Sequence, residues 1–253
     1  MINVIIVGAK GKMGKKVKEA ISISDKCRPV CGVDIFEDFS DKDFPVYSDF
    51  SKIGEKADVI IDFSSPKSLD AILDYAIKNG VGAVLCSTGY SEEDIEKINE
   101  ASARVALFRS ANMSLGVNVL LRLVKQATAA LEGFDIEIIE KHHNRKADAP
   151  SGTAIMLADG IKKVAPEKFC IYGREGIVGQ RDKNEIGIHA VRGGNIVGEH
   201  EVIFAGENEV ITLAHSAADR GVFANGAVKA AEFICGKKSG LYNMDDLLGE
   251  ENA

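Results

Sequence analysis

Residues 2–7 (INVIIV) are a short β-branched apolar run that stops at Gly8, and apolar positions then recur at Met13, Val17, Ala20 and Ile21. The run has the signature of a strand buried on both faces, as in a parallel sheet, and the positions after it have helical spacing. This alternation repeats along the chain, and no other feature constrains the fold as much. Pro29 to Val33 is a second apolar run ending in Asp34, and residues 57–63 (ADVIIDF), 81–86 (VGAVLC) and 104–108 read as further strands. Between them Ser65–Pro66 predicts an N-cap with proline at the first helical position, and Asn79–Gly80 predicts the end of that helix. Ser91 with Asp94 predicts a capping box. Strands alternating with helices through about residue 110 imply right-handed βαβ units in a doubly wound parallel sheet.

The pattern then changes. Residues 113–132 predict a long helix with Leu115, Val119, Leu120, Leu123 and Val124 on one side, and Phe134 to Glu140 predicts a strand leading into the polar stretch KHHNRKADAPSGTA. From about 186 to 215 strands follow one another, with Gly193–Gly194 and Gly206–Glu207–Asn208 as turns, before residues 222–236 return to a helix. Consecutive strands without helices between them imply an antiparallel or mixed sheet. The expected fold is therefore α/β: a doubly wound parallel sheet through about residue 110, followed by a second, α+β domain with an antiparallel or mixed sheet.

Composition excludes several function classes. Against 31 Lys and Arg stand 38 Asp and Glu, and a net charge of −7 argues against a general nucleic-acid binder, which needs cations for the phosphates. Five scattered cysteines without a Cys-x-x-Cys pair argue against a disulfide scaffold or structural zinc and fit reduced thiols in cytoplasm. The N-terminal apolar run is too short for a signal peptide, and no stretch reaches the roughly 20 apolar residues that span a bilayer. No membrane, nucleic-acid or metal partner is expected.

Gly8-Ala-Lys-Gly11-Lys-Met-Gly14 lies between the first strand and first helix, where backbone must approach a pyrophosphate closely and helix N–H groups must point at it. The spacing is Gly-x-x-Gly-x-x-Gly rather than Gly-x-Gly-x-x-Gly. Asp34 ends the second strand near the offset of about 20 residues at which an acid meets the adenosine ribose. A carboxylate there repels a 2′-phosphate, and Ile35 rather than arginine follows, so NADH is expected to be favoured over NADPH. Lys12, Lys15 and Lys16 bear on the same choice, because a lysine reaching across could neutralise that phosphate. Lys15 and Lys16 read as a solvated helix face.

In the polar stretch two of the five histidines, His142 and His143, are adjacent, and Lys146 follows three residues on. Ser151 is a plausible N-cap, with the N–H groups of Gly152 and Thr153 as first-turn donors suited to a carboxylate. Such a contact contributes about 0.3–1 kcal/mol when exposed, and charge-assisted bonds from His143 and Lys146 about 1.5–3 kcal/mol each. Together they could hold a small dianion. Ser151 is read as a cap rather than a nucleophile, since Gly-x-Ser-x-Gly is absent.

Glu140-x-His-His-x-x-Lys146-x-Asp148-x-Pro-Ser-Gly-Thr-Ala154 resembles the signature of the 4-hydroxy-tetrahydrodipicolinate (dihydrodipicolinate) reductases. The similarity extends through Gly8–Gly14, Asp62-Phe-Ser, Ser87-Thr-Gly89, Ser110-Ala-Asn-Met113, Val197-Gly-Glu-His200 and Phe223-Ala-Asn-Gly-Ala227. The resemblance implies a Rossmann-like dinucleotide-binding domain, 1–112 plus 219–253, completed by the C-terminal helix, and an inserted substrate-binding and oligomerisation domain, 113–218, whose open mixed sheet pairs subunits into a homotetramer. It also implies NAD(P)H-dependent reduction of the hydroxylated cyclic dicarboxylate, with loss of water, in diaminopimelate and lysine biosynthesis. His142 would be the proton donor and Lys146 a second acid, with His143, Ser151, Gly152 and Thr153 at the substrate. Gly8, Ala9, Lys10, Gly11, Lys12, Met13, Cys86, Ser87, Thr88, Ser110, Ala111, Asn112 and Met113 would line the cofactor, with Asp34 at the ribose. Cys86 stands where many members have glycine, so contact there would run through backbone; Asp34 stands where others often have glutamate. A dehydrogenase of another amino-acid precursor would explain the first 110 residues but not the polar stretch. A silent NAD(H) redox sensor would tolerate loss of the His and Lys, yet all are present.

Overall fold

The computed structural model of the chain describes residues 1–249. The chain forms β1 (Ile2–Val7), α1 (Lys12–Ser22), β2 (Cys27–Val33), the short β3 (Val46–Tyr47), β4 (Val59–Asp62), α2 (Leu69–Asn79), β5 (Gly82–Leu85), α3 (Glu92–Ser102) and β6 (Ala106–Arg109). Then come α4 (Leu115–Ala130), β7 (Asp135–His142), α5 (Gly152–Val164), β8 (Phe169–Tyr172), β9 (Glu185–Arg192), β10 (Gly198–Ala205) and β11 (Val210–Ala217). The last elements are α6 (Gly221–Ile234), β12 (Gly240–Tyr242) and α7 (Met244–Leu247). One compact unit is Met1–Leu115 with Arg220–Ala253, and the other is Gly116–Asp219. Residues 250–253 of the expected closing segment lie outside the described residues. The first unit runs through Leu115, with Met113 buried in its core and Leu115 packed against it.

In the first unit seven parallel strands run in the order β12-β6-β5-β4-β1-β2-β3. Successive side chains of a strand point to opposite faces, and here both faces are covered. Val4 and Ile6, Val59 and Ile61, and Val84 turn toward α1 and α6, where they meet Val17, Ile21, Ala227, Ala231 and Ile234. Ile5 and Val7, Ile60, and Ala83 and Leu85 turn toward α2 and α3, onto Leu69, Ile72, Ala76, Ile98 and Ala101. This is the doubly wound, Rossmann-like arrangement that the continuous apolar runs predict. Its strand order reverses between β1 and β4, and in such sheets ligands bind beyond the strand C-termini at that point.

The second unit has a five-stranded mixed sheet in the order β11-β10-β7-β9-β8, parallel at β7–β9 and β8–β9 and antiparallel at β7–β10 and β10–β11. Ile136, Ile138, Ile186, Ile188, Val202 and Phe204 bury one face against Leu120 and Val124 of α4 and Leu157, Ala158 and Ile161 of α5. Among the described residues no helix packs on the opposite face, where Val191 and Val210 are exposed.

The capping box at Ser91 and Asp94 forms as expected, and Gly80 closes α2 in the left-handed conformation. Ser65–Pro66 opens a 3₁₀ turn (Pro66–Ser68) instead of the α-helix itself, which begins at Leu69. Among the described residues no helix is long and apolar enough to cross a membrane. The five cysteines are free thiols.

A Cβ added at Gly14 would lie 2.2 Å from the carbonyl oxygen of Gly8, so α1 can sit against the β1 turn only with glycine there. Gly14→Ala is expected to lower stability by about 1–3 kcal/mol, the usual cost of overpacking. Gly54→Ala, with nothing within 4 Å of its added carbon, should stay within about 0.5 kcal/mol of the parent. Urea unfolding of both variants checks this.

Candidate active site

Each unit presents its own cluster of functional groups. In the first, β1 and β4 end at the reversal point. Gly8 has φ +77°, and a Cβ there would stand 2.9 Å from the Phe63 carbonyl oxygen. Gly11 is the N-cap of α1 and supplies no side-chain acceptor, so its first-turn N–H groups are left to another partner. A side-chain-free cradle at an uncapped helix N-terminus fits a pyrophosphate. Asp34 leans over this turn and accepts a 2.9 Å hydrogen bond from the Lys10 N–H, while the Lys10 ammonium pairs with Asp38 at 3.0 Å. Lys12 and Lys15 are exposed, and Lys16 pairs with Glu19.

Beside the turn lies a cavity of about 290 Å³ lined by Met13, Cys86, Thr88 and the Ser110–Met113 segment, all expected at a cofactor, together with Phe63, Arg220 and Phe223. Ser87 turns the other way, its hydroxyl donating to Asp62 at 2.7 Å. Asp62 is fully buried at the end of β4 and also accepts from the Ser64 N–H and, at 3.4 Å, from the Tyr90 hydroxyl. Burial pushes its carboxyl pKa up against these bonds. Cys86 is buried too, and burial pushes its thiol well above the ordinary range. It therefore remains an uncharged thiol.

In the second unit the polar stretch runs from β7 to α5. The phase of β7 that buries Ile136 and Ile138 also buries Glu140 completely. Arg192 clamps its carboxylate with two bonds of 2.7 Å, the Ser151 N–H donates at 2.9 Å, and His142 Nδ1 lies 2.6 Å away. Burial opposes ionisation, but bonds from Arg192, His142 and Ser151 outweigh it and hold the Glu140 pKa below its ordinary value. His142 is partly exposed, and its ring meets that of His200 edge-on at 5.2 Å. A Cβ at Gly198 would lie 3.1 Å from His142 Nε2, a tight contact, so the glycine of β10 leaves the ring room that a side chain would narrow. Lys146 pairs with Asp148 at 2.8 Å, and its N–H donates to the His143 carbonyl. His143 is half-buried just beyond the strand.

Ser151 caps α5 as expected, accepting from the Ala154 N–H. The residue is buried, and its hydroxyl also lies 2.9 Å from His200 Nε2. The exposed backbone of the turn belongs to Gly152, followed by half-buried Thr153.

Residues 2–113 match the N-terminal domain family described as dihydrodipicolinate reductase, and residues 116–248 match its C-terminal counterpart. The chain belongs to the dihydrodipicolinate reductase family. It is 55% identical over 98% of both chains to a 4-hydroxy-tetrahydrodipicolinate reductase of Caldanaerobacter subterraneus subsp. tengcongensis, and 50% identical to one of Clostridium novyi over the full length of both. A dipicolinate-bound dihydrodipicolinate reductase from Paenisporosarcina sp. TG-14 superposes with a TM-score of 0.81 at 25% identity, covering 96% of this chain and 97% of that one.

The sequence gives several residues of this dihydrodipicolinate reductase family member no role of their own. Glu140 was legible in principle, since it continues the buried phase of β7 and a buried carboxylate requires a partner. That partner, Arg192, becomes adjacent only through the β7–β9 register, which pairs it with His142. Phe63 and Phe223 lie in stretches shared with the family, whereas Arg220 carries no local signal for its place on the cavity wall.

His200 is 4% exposed, and burial, with the charge of His142 adding to it, pushes its pKa down to about 4. An unfolded chain protonates this histidine near 6.5, so below that pH the unfolded state binds a proton the folded state does not. Stability should fall from about pH 6.5 to about pH 4, by up to about 1.4 kcal/mol per pH unit. Urea unfolding across that range should give a shallower slope for His200→Gln than for the parent.

Proposed function

We propose that this chain reduces 4-hydroxy-tetrahydrodipicolinate to tetrahydrodipicolinate with loss of water, using NAD(P)H, as a step of diaminopimelate and lysine biosynthesis. The reading is carried by one observation beside the family membership. A histidine on a buried carboxylate, an ion-paired lysine and the open N-terminus of α5 are gathered on a single strand-to-helix connection. That set suits a small dianion that must also receive a proton.

A bound reduced nicotinamide supplies a hydride to ring carbon C4 once the 4-hydroxyl has left as water. The chain supplies the rest. Gly152, Thr153 and His143 hold a substrate carboxylate, with the N-terminus of α5 favouring its charge. Lys146 exchanges its exposed partner Asp148 for substrate, so the second carboxylate is neutralised without stranding a buried cation. His142, protonated on both nitrogens, delivers the Nε2 proton to the carbon next to C4, and Lys146 assists as a second acid. In the first unit the Gly8–Met13 turn holds the pyrophosphate, and the Cys86–Thr88 and Ser110–Met113 segments border the nicotinamide.

NADH is the preferred cofactor in this reading. Asp34 faces the ribose position, Asp38 already occupies Lys10, and Lys52 is paired with Glu37, so a 2′-phosphate would meet carboxylates before any unpaired cation of that group. Free thiols fit a cytoplasmic setting. The uncovered face of the second sheet, with Ile139, Val191 and Ile203 in its apolar part, suits pairing of subunits into a homotetramer.

The test supplies freshly generated product of the preceding synthase and follows loss of reduced-cofactor absorbance with NADH and NADPH in parallel. Oxidation is expected with both and faster with NADH; none with either overturns the proposal. His142→Gln and Lys146→Ala should each lower kcat about 10²–10⁴-fold while NADH affinity, read by fluorescence, stays within about twofold of the parent. Equal losses in both would instead indicate a disrupted fold.

A further inference from the structure

We propose that Glu140, clamped by Arg192, is the positioning residue that fixes which ring nitrogen of His142 carries the transferable proton and ties that ring to the substrate-binding end of α5. This rests on the reductase reading, in which His142 is the proton donor.

Among the described residues only Glu140 and Asp62 are carboxylates without exposed surface. Removing a carboxylate from water is costly, and it persists there only when its oxygens are filled. Glu140 meets that condition. Oε1 accepts from Arg192 Nη2 and the Ser151 N–H, and Oε2 from Arg192 Nη1 and His142 Nδ1. A carboxylate flanked by a guanidinium stays ionised and has no proton to give, so Nδ1 must be the donor of the 2.6 Å bond. The exchangeable proton of the ring is thereby assigned to Nε2, at the glycine gap in β10.

Two further bonds extend the frame. Arg192 Nη2 reaches past Glu140 to the Asp148 carbonyl at 2.7 Å, which anchors the loop carrying Lys146. The Ser151 N–H binds Glu140 immediately before the first turn of α5. One buried ion pair therefore holds the proton donor, the lysine loop and the anion-binding turn to a common reference. The other titratable groups around His142 are His200 on β10, with His215 opposite it on β11, and Lys146 with Asp148 in the loop. Lys141 lies on the other side of the sheet, paired with Glu199. His200 is held neutral by burial and packs against the His142 ring without giving Nδ1 an alternative acceptor.

A purely structural ion pair would affect stability but not proton chemistry, and Glu140→Gln separates the two. The amide oxygen can still accept from Ser151, whereas its NH₂ opposes the Nδ1 proton. Loss of the facing anion disfavours the doubly protonated ring. The expected result is a fall in kcat of about 10–100-fold with substrate KM changed less than about threefold, NADH affinity retained, and the alkaline limb of the kcat–pH profile moved to lower pH. An unmoved limb with only a lower melting temperature overturns the proposal. Should the variant fail to fold, ¹⁵N-histidine NMR of the unaltered protein decides: neutral His142 protonated on Nδ1 supports the proposal, and protonated on Nε2 overturns it. That readout needs no turnover, so it stands or falls separately from the reductase reading.

Discussion

A parallel sheet covered by helices on both sides has no face to offer a ligand, and that constraint governs where the first unit can do chemistry. Val4 and Ile6 bury against one helical layer, and Ile5 and Val7 against the other. Only the strand ends remain, and of these the C-terminal ends of β1 and β4 lie where the winding reverses. Helix N–H groups, glycine backbone and the end of a buried strand converge there as a consequence of topology. The cavity beside Met13, Phe63 and Cys86 follows from the same geometry, since neighbouring loops diverge on either side of a reversal point.

The second unit solves a different problem. Its sheet has a helical layer on one face only, so polar groups can reach the edge of the core at strand ends. On β7 the buried phase runs from Ile136 and Ile138 to Glu140, and then to partly exposed His142. The core thus becomes polar over two steps of one strand, and Arg192 arrives from β9 in register to make that tolerable. On the uncovered face Glu137 gathers Arg174, Arg181 and His189, a second ionic cluster that fastens the connection between β8 and β9 to the sheet. These bonds outweigh the opposing effect of burial and hold its pKa down at about 2.

Much of this was legible from residue order because the relevant signals are local. The β1 run, the capping box at Ser91, the Gly80 stop and the Ser151 cap each depend on residues within a few positions of one another. What escaped depends on pairing. Strands β3 and β12 have two and three residues, too few to show a period, and β12 exists because Leu241 finds Leu107 on β6. The second partner of the Ser151 hydroxyl is of the same kind: that His200 lies beside it is a fact about β10, far along the chain. The motif therefore disclosed which residues gather, and tertiary register determined which of them face outward.

The two fully buried carboxylates show what decides whether such a group keeps its charge. Asp62 accepts only from neutral donors, the Ser64 and Ser87 groups and the Tyr90 hydroxyl, and burial prevails: its pKa rises. Glu140 has no more exposed surface but receives a guanidinium through two bonds, and its pKa falls. The difference lies in the charge of the donors and not in depth, as expected when desolvation and a paired cation oppose each other. It also matches what each place requires. The loop beside the first unit's cavity needs to be pinned, and an acid of either protonation state can bind Ser87 and Tyr90. Next to His142 an acceptor is required that never carries a proton itself, because a neutral carboxyl could donate to Nδ1 and reverse the tautomer. Arg192 supplies that guarantee, which is a reason for a buried ion pair at this position.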